Sequence, residues 1–148
     1  MTAATALRYG FKAEVAVGYD EAVALARAAL ADEGFGVLTE IVRATLKRKL
    51  DVDFRPYVIL GACNPPLAHR ALDRETDIGL LLPCNVVVYA GERPGASVVA
   101  VLDPVVQLGV TGRQDLEPLA EEVRDRLRHV LETVRRGPAA PTMKSEER

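Results

Sequence analysis

Two short segments, Gly61-Ala62-Cys63-Asn64-Pro65 and Leu82-Pro83-Cys84-Asn85-Val86, carry most of the chemistry this sequence can offer. Each sets a thiol beside a carboxamide in, or at the end of, an apolar run. If the two runs are neighbouring strands, both pairs meet at one place. A carboxamide inside a buried run is costly unless it is hydrogen-bonded, so Asn85 needs partners from the backbone or from a ligand. Cys63 precedes a helix start, where the macrodipole would favour a thiolate. Against that, Pro65 and Pro66 lack the N–H groups an anion would use, and Asn64 as N-cap occupies another. His69, about one turn into the same helix, is the candidate base or third ligand, although a lone surface histidine is the plainer reading.

Cysteines in strands usually act as small buried hydrophobes, and that reading is preferred for Cys63 and Cys84. A thiol-dependent redox or sulfur-transfer role comes next. Metal binding comes last, because no Cys-x-x-Cys or paired-histidine spacing exists, and no metal site is expected. No Walker loop, nucleophile elbow or dinucleotide-binding glycine pattern is present, so no cofactor is expected either. Asn64 before Pro65 is ordinary helix-start chemistry. Asn85 stands between a polar staple and a contact that orients a small polar ligand. His129, on the last helix, faces solvent or an interface.

The elements that must position these residues belong to one domain, since 148 residues fit one better than two. With 5% aromatics and no Trp, the core is built from Val, Leu, Ile and Ala, and little is left for stacking on bases or sugars. A formal charge of −2 without a long basic run gives no nucleic-acid footprint. Met1–Gly10 lacks a secretory apolar stretch. Ile78–Ala90 is too short to span a bilayer and is interrupted by Pro83 and Asn85. No membrane association is expected, the cytoplasm is the expected location, and both cysteines are then free thiols.

Phe11–Val17 alternates as a half-buried strand. Tyr19–Glu33 is a helix with Val23, Ala26 and Leu30 inward and Gly34 just past its end. Phe35–Ile41 is a second strand, and Val42–Leu50 a short helix with Leu46 and Leu50 inward. Its Arg43, Lys47, Arg48 and Lys49 would attract an anion, but a solvated face is the preferred reading. Tyr57–Cys63 is apolar on both faces and reads as a central strand. Pro65–Arg74 is a helix burying Leu67, Ala71 and Leu72. Ile78–Tyr89 gives one or two strands broken at Pro83, and Ser97–Leu102 pairs back as a hairpin. Asp103-Pro104 is a turn. A long amphipathic helix runs from about Asp115, its N-cap, to Arg135.

The order β-α-β-α-β-α-β-β-α predicts an α/β domain of the α+β type, over residues 1–136. It is a two-layer sandwich with a mixed sheet and helices mainly on one face. Residues 137–148 read as a disordered tail.

Together, five segments resemble the bacterial and archaeal family called domain of unknown function 302. They are Gly34–Ile41, Ala44–Lys47, Ile59–Pro65, Leu80–Val88 and Asp103-Pro104, and the resemblance spans about Phe11 to Val134. It implies a compact two-layer fold and a dimer, and no activity. Two departures stand out. Similar sequences tend to carry an Asp, one further residue and a Lys or Arg between the Thr-Glu-Ile run and the Ala-Thr pair; this chain has only Val42 and Arg43, so one residue is missing and the Asp is gone. Gln107 stands where they tend to have Met.

The reading reached is a small homodimeric domain holding a small polar ligand near Cys63, Asn64, Cys84 and Asn85. The alternatives are a thiol-dependent redox or sulfur-transfer protein and a structural or interaction domain with no ligand.

Overall fold

The computed structural model of the chain describes residues 4–138, and only the backbone of 39–45. The expected tail lies, from 139 onward, outside the described residues. Strands β1 (Thr5–Leu7), β2 (Gly10–Val15), β3 (Gly36–Val42), β4 (Tyr57–Cys63), β5 (Cys84–Ala90) and β6 (Ser97–Leu102) form one sheet in the order β1-β2-β6-β5-β4-β3. Helices α1 (Tyr19–Asp32), α3 (Pro65–Arg74), α4 (Pro104–Gly109) and α5 (Glu117–Arg135) accompany it, with α2 (Arg43–Leu50) between β3 and β4. The architecture is the expected α+β fold.

Every ladder in the sheet is antiparallel, whereas a mixed sheet was expected. The reason lies in the crossover. Strands β2 and β3, joined through α1, run in the same direction but have three strands between them, so they never pair. The strands between them arrive through a hairpin-like return from β5 to β6, which alternates direction. The strand β1 was not anticipated; it folds back on β2 through Arg8 and Tyr9, pairing Thr5 with Lys12.

One face of the sheet packs on helices. Val58, Leu60, Val86, Val88, Val99 and Val101 point into the layer with Leu30, Leu127, Val130 and Val134, all nearly or fully buried. Each such aliphatic contributes about 1.5–3 kcal/mol relative to its exposed state. Alternation then puts Lys12, Ile59, Val87, Tyr89, Val98, Ala100 and Leu102 on the other face, which no helix named above covers.

Other expectations shift locally. Ile78–Leu82 is not strand: Thr76–Leu81 is a 3-10 turn that buries Ile78 and leaves Leu80 88% exposed. The Leu82–Pro83 bond is cis. Leu46, Leu50 and Leu72 were expected inward and are exposed, because α2 packs chiefly on the edge strand β3 and Leu72 points off the buried stripe of α3. Asp103-Pro104 opens α4 rather than a simple turn, Asp103 accepting a hydrogen bond from the Val105 amide at 2.9 Å. Asp115 does not cap α5; it accepts from Arg113 at 2.7 and 2.9 Å, and a 3-10 turn leads into the helix at Glu117. Where similar sequences have an extra residue, β3 passes directly into α2 at Val42 and Arg43.

Candidate functional site

The ends of β4 and β5 bring the two cysteines near one another. Ala62 and Cys84 are Cα partners in the antiparallel ladder, so Cys63 sits diagonally beside Cys84. Between these strand ends and α3, α4 and α5 lies a cavity of about 40 Å³, lined by Ala62, Cys63, Asn64, Leu67, Cys84 and Val123 among others. At about 10–15 Å³ per water, it has room for roughly three waters. Three of the four residues singled out from the sequence therefore do converge, but on a small apolar hole.

The state of each group follows from its surroundings. Cys84 is 8% exposed. Burial, and after it the neighbouring Cys63, pushes its thiol from 9.0 up to about 11. The anion is disfavoured because burial strips it of hydration and the Cys63 thiol beside it adds repulsion rather than a counter-charge. Cys63 is half-buried at the cavity rim.

Asn64 is spent on structure. Its Oδ1 accepts from the Leu67 amide at 3.4 Å as the N-cap of α3, and its Nδ2 donates to the Glu33 carbonyl at 3.2 Å. Arg126 donates to the same carbonyl at 3.2 Å, so the end of α1 is tied to both α3 and α5. Gly34 makes the approach possible: its φ is +87°, and a Cβ there would lie 3.0 Å from Asn64 Nδ2. His69 is not the base of a thiol site. Its side chain is 76% exposed, with Nε2 3.6 Å from Asp73 Oδ1, because position 69 falls on the solvent side of α3. His129, on α5, meets the Glu33 carboxylate. Gln107, standing where similar sequences have Met, donates Nε2 to the Leu81 carbonyl, while its Oε1 is buried without a partner among the described residues.

Asn85 leaves the group altogether. It was expected in a buried run beside the cysteines, but it is exposed. Strand alternation explains this: Cys84 and Val86 face the helices, so Asn85 must face away. There it lines a cleft of about 440 Å³ with Leu7, Lys12, Tyr57, Val87 and Leu102 among others. Asn85 pairs across the ladder with Gly61.

The rest of this open face is aromatic at one end. Tyr57 and Tyr89 stack at 5.4 Å, Phe54 meets Tyr57 edge-on at 5.8 Å, and the Arg55 guanidinium sits 5.6 Å from the centre of the Tyr89 ring. Burial, with Tyr89 and Tyr9 nearby, raises the Tyr57 hydroxyl pKa above its ordinary 10.0, keeping it a donor at neutral pH. None of Tyr9, Lys12, Arg55, Tyr57 or Tyr89 was singled out from the sequence. The available signal was the two-sided apolarity of Tyr57–Cys63, which a single helical layer cannot absorb.

Among the described residues no group of three or more His, Cys, Asp or Glu could hold a metal ion. Among the same residues, no helix is long and apolar enough to cross a membrane.

Comparison with known proteins agrees with the fold and leaves the chemistry open. The structure is similar to the crystal structure of an uncharacterized conserved DUF302 protein from Bacillus stearothermophilus, with a TM-score of 0.78 and 29% sequence identity. That match covers 87% of this chain and 100% of the other. No curated protein matches. The family model described as Domain of unknown function DUF302 matches residues 11–134. The chain therefore belongs to the DUF302 family.

Proposed function

We propose that this chain is a binding domain for a small ligand, and that the ligand lies on the open face of the sheet at Asn85. The observation that carries this reading is the cleft of about 440 Å³, in which Asn85 presents an amide with no hydrogen-bonding partner among the described residues. A volume of this size falls in the usual ~300–1,000 Å³ of small-molecule sites, whereas the thiol cavity is about tenfold smaller. An amide beside an aliphatic floor of Val87, Ala100 and Leu102 is the combination that orients a ligand with one polar and one apolar part.

The assembly in this reading is a homodimer with the second copy seated at the aromatic end of the open face, around Phe54, leaving the cleft open. Tyr57, Tyr89 and Phe54 are the residue types that interfaces favour. A thiol-dependent function has less support, since Cys84 is held protonated and His69 points to solvent.

A fragment screen by thermal shift tests the ligand site on the native protein and on Asn85→Leu. Fragments that stabilise the native protein and lose that effect in the variant are the expected result. Fragments that stabilise both proteins equally would place binding elsewhere and overturn the reading.

A further inference from the structure

Resting on the Asn85 site just proposed, charge and shape narrow the class of ligand. On the open face, Lys12 and Glu14 stand two residues apart on β2. Glu14 is already engaged: Arg93 reaches it with two guanidinium contacts, at 2.5 and 3.4 Å. Lys12 is half-buried in the cleft lining and meets no carboxylate among the described residues. At the far end Arg55 lies over Tyr89, adding a second cation at the rim. The remaining named polar groups of the lining are the Tyr9, Tyr57 and Tyr89 hydroxyls and the Asn85 amide. These offer donors rather than charge, so the cleft has a cation without its anion.

The floor is apolar. Lys12 pairs with Ala100 in the β2–β6 ladder, and Ala100 pairs with Val87 in the β5–β6 ladder, which puts the three in one row across the sheet. Asn85 lies two residues along β5 from that row. Strand spacing and rise place the Lys12 and Asn85 backbones about 12 Å apart. An ammonium at one end, an amide at the other and aliphatic carbon between them match a molecule with an anionic head and an apolar or aromatic body.

We propose that the cleft on the open sheet face binds an amphipathic organic anion, a carboxylate or sulfonate carrying an apolar ring or chain, with Lys12 as its counter-charge and Val87, Ala100 and Leu102 beneath its body. The head accepts hydrogen bonds from the Lys12 ammonium and from a tyrosine hydroxyl. The body covers aliphatic surface that is otherwise open on one side of the sheet. Asn85 binds whatever polar group the body carries at its other end.

Two fluorescent probes with a shared aromatic body test this on the full chain at neutral pH. 8-Anilinonaphthalene-1-sulfonate carries the anionic head, and N-phenyl-1-naphthylamine lacks it. The sulfonate should bind the native protein clearly more tightly than the neutral probe. Lys12→Met should weaken the sulfonate about tenfold, the scale of one charge-assisted hydrogen bond, and change the neutral probe less than about twofold. Val87→Asp should abolish both while far-UV circular dichroism stays native. Equal affinity for the two probes, unaltered by Lys12→Met, would overturn the anion class and leave the site itself standing. Binding of neither probe, or binding that survives Val87→Asp, would overturn the site as well.

Discussion

Carbamidomethylation of Cys84 in the native protein is predicted to run about a hundredfold slower than that of an ordinary exposed thiol at neutral pH. The magnitude follows from its surroundings. A thiol moved from 9.0 to about 11 has a hundredfold less thiolate at any pH well below both values, and the thiolate is the reacting species. Burial to 8% exposure slows attack further, so the factor is a lower bound. The same shift predicts a stability change whose sign is fixed. In the unfolded chain Cys84 loses its proton near pH 9, and in the folded chain only near 11. Stability is therefore full below about pH 9 and falls as pH rises through the folded value, by up to about 3 kcal/mol. Iodoacetamide labelling between pH 6 and 9, read by peptide mapping, gives the rate. Urea unfolding at pH 8 and 10.5, compared with Cys84→Ala to subtract lysine and tyrosine titration, gives the stability slope. A Cys84 that labels as fast as a free cysteine, or a slope identical in Cys84→Ala, would refute the placement of this thiol.

Three further outcomes follow from single contacts. Asn64→Ala removes both the N-cap of α3 and the tie to the Glu33 carbonyl, and should cost about 1–2 kcal/mol in denaturant unfolding. Gly34→Ala forces a side chain into a φ of +87° and against Asn64 Nδ2, and should destabilise by about 1 kcal/mol or more in the same assay. Phe54→Glu puts a charge on the aromatic end of the open face without touching the helix-side core. In sedimentation velocity the native chain should run as a dimer and this variant as a monomer, with the thermal midpoint altered by only a few degrees.

How far the sequence carried depends on the kind of signal each element gives. The strand Tyr57–Cys63 and the helix Pro65–Arg74 were readable to the residue, because an apolar run meets Asn-Pro-Pro, and proline and an N-cap leave little choice. Gly34 was readable as the residue past α1 for the same local reason. Ile78–Leu82 was not, since a run of apolar letters does not reveal that Leu80 would face solvent. The antiparallel sheet was not readable because strand order is decided by packing across the whole chain, not by any one segment. Within the site, the meeting of Cys63 with Cys84 was foreseeable from two similar motifs on adjacent strands. The departure of Asn85 to the opposite face was equally implied by alternation, once Cys84 is known to point inward. Lys12 was invisible as a site residue, because its role depends on Glu14 being taken by Arg93, a contact across 79 residues of chain.

Nitrogen-15 amide correlation spectra of the native protein, recorded while 8-anilinonaphthalene-1-sulfonate is titrated in, test the central claim most directly. The two cavities open on opposite sides of the sheet, so the residues that shift identify which one binds. Shifts concentrated at Lys12, Asn85, Val87, Ala100 and Leu102 are the predicted result. Shifts concentrated at Ala62, Leu67, Cys84 and Val123, with the open face unmoved, would contradict it and return attention to the thiol cavity.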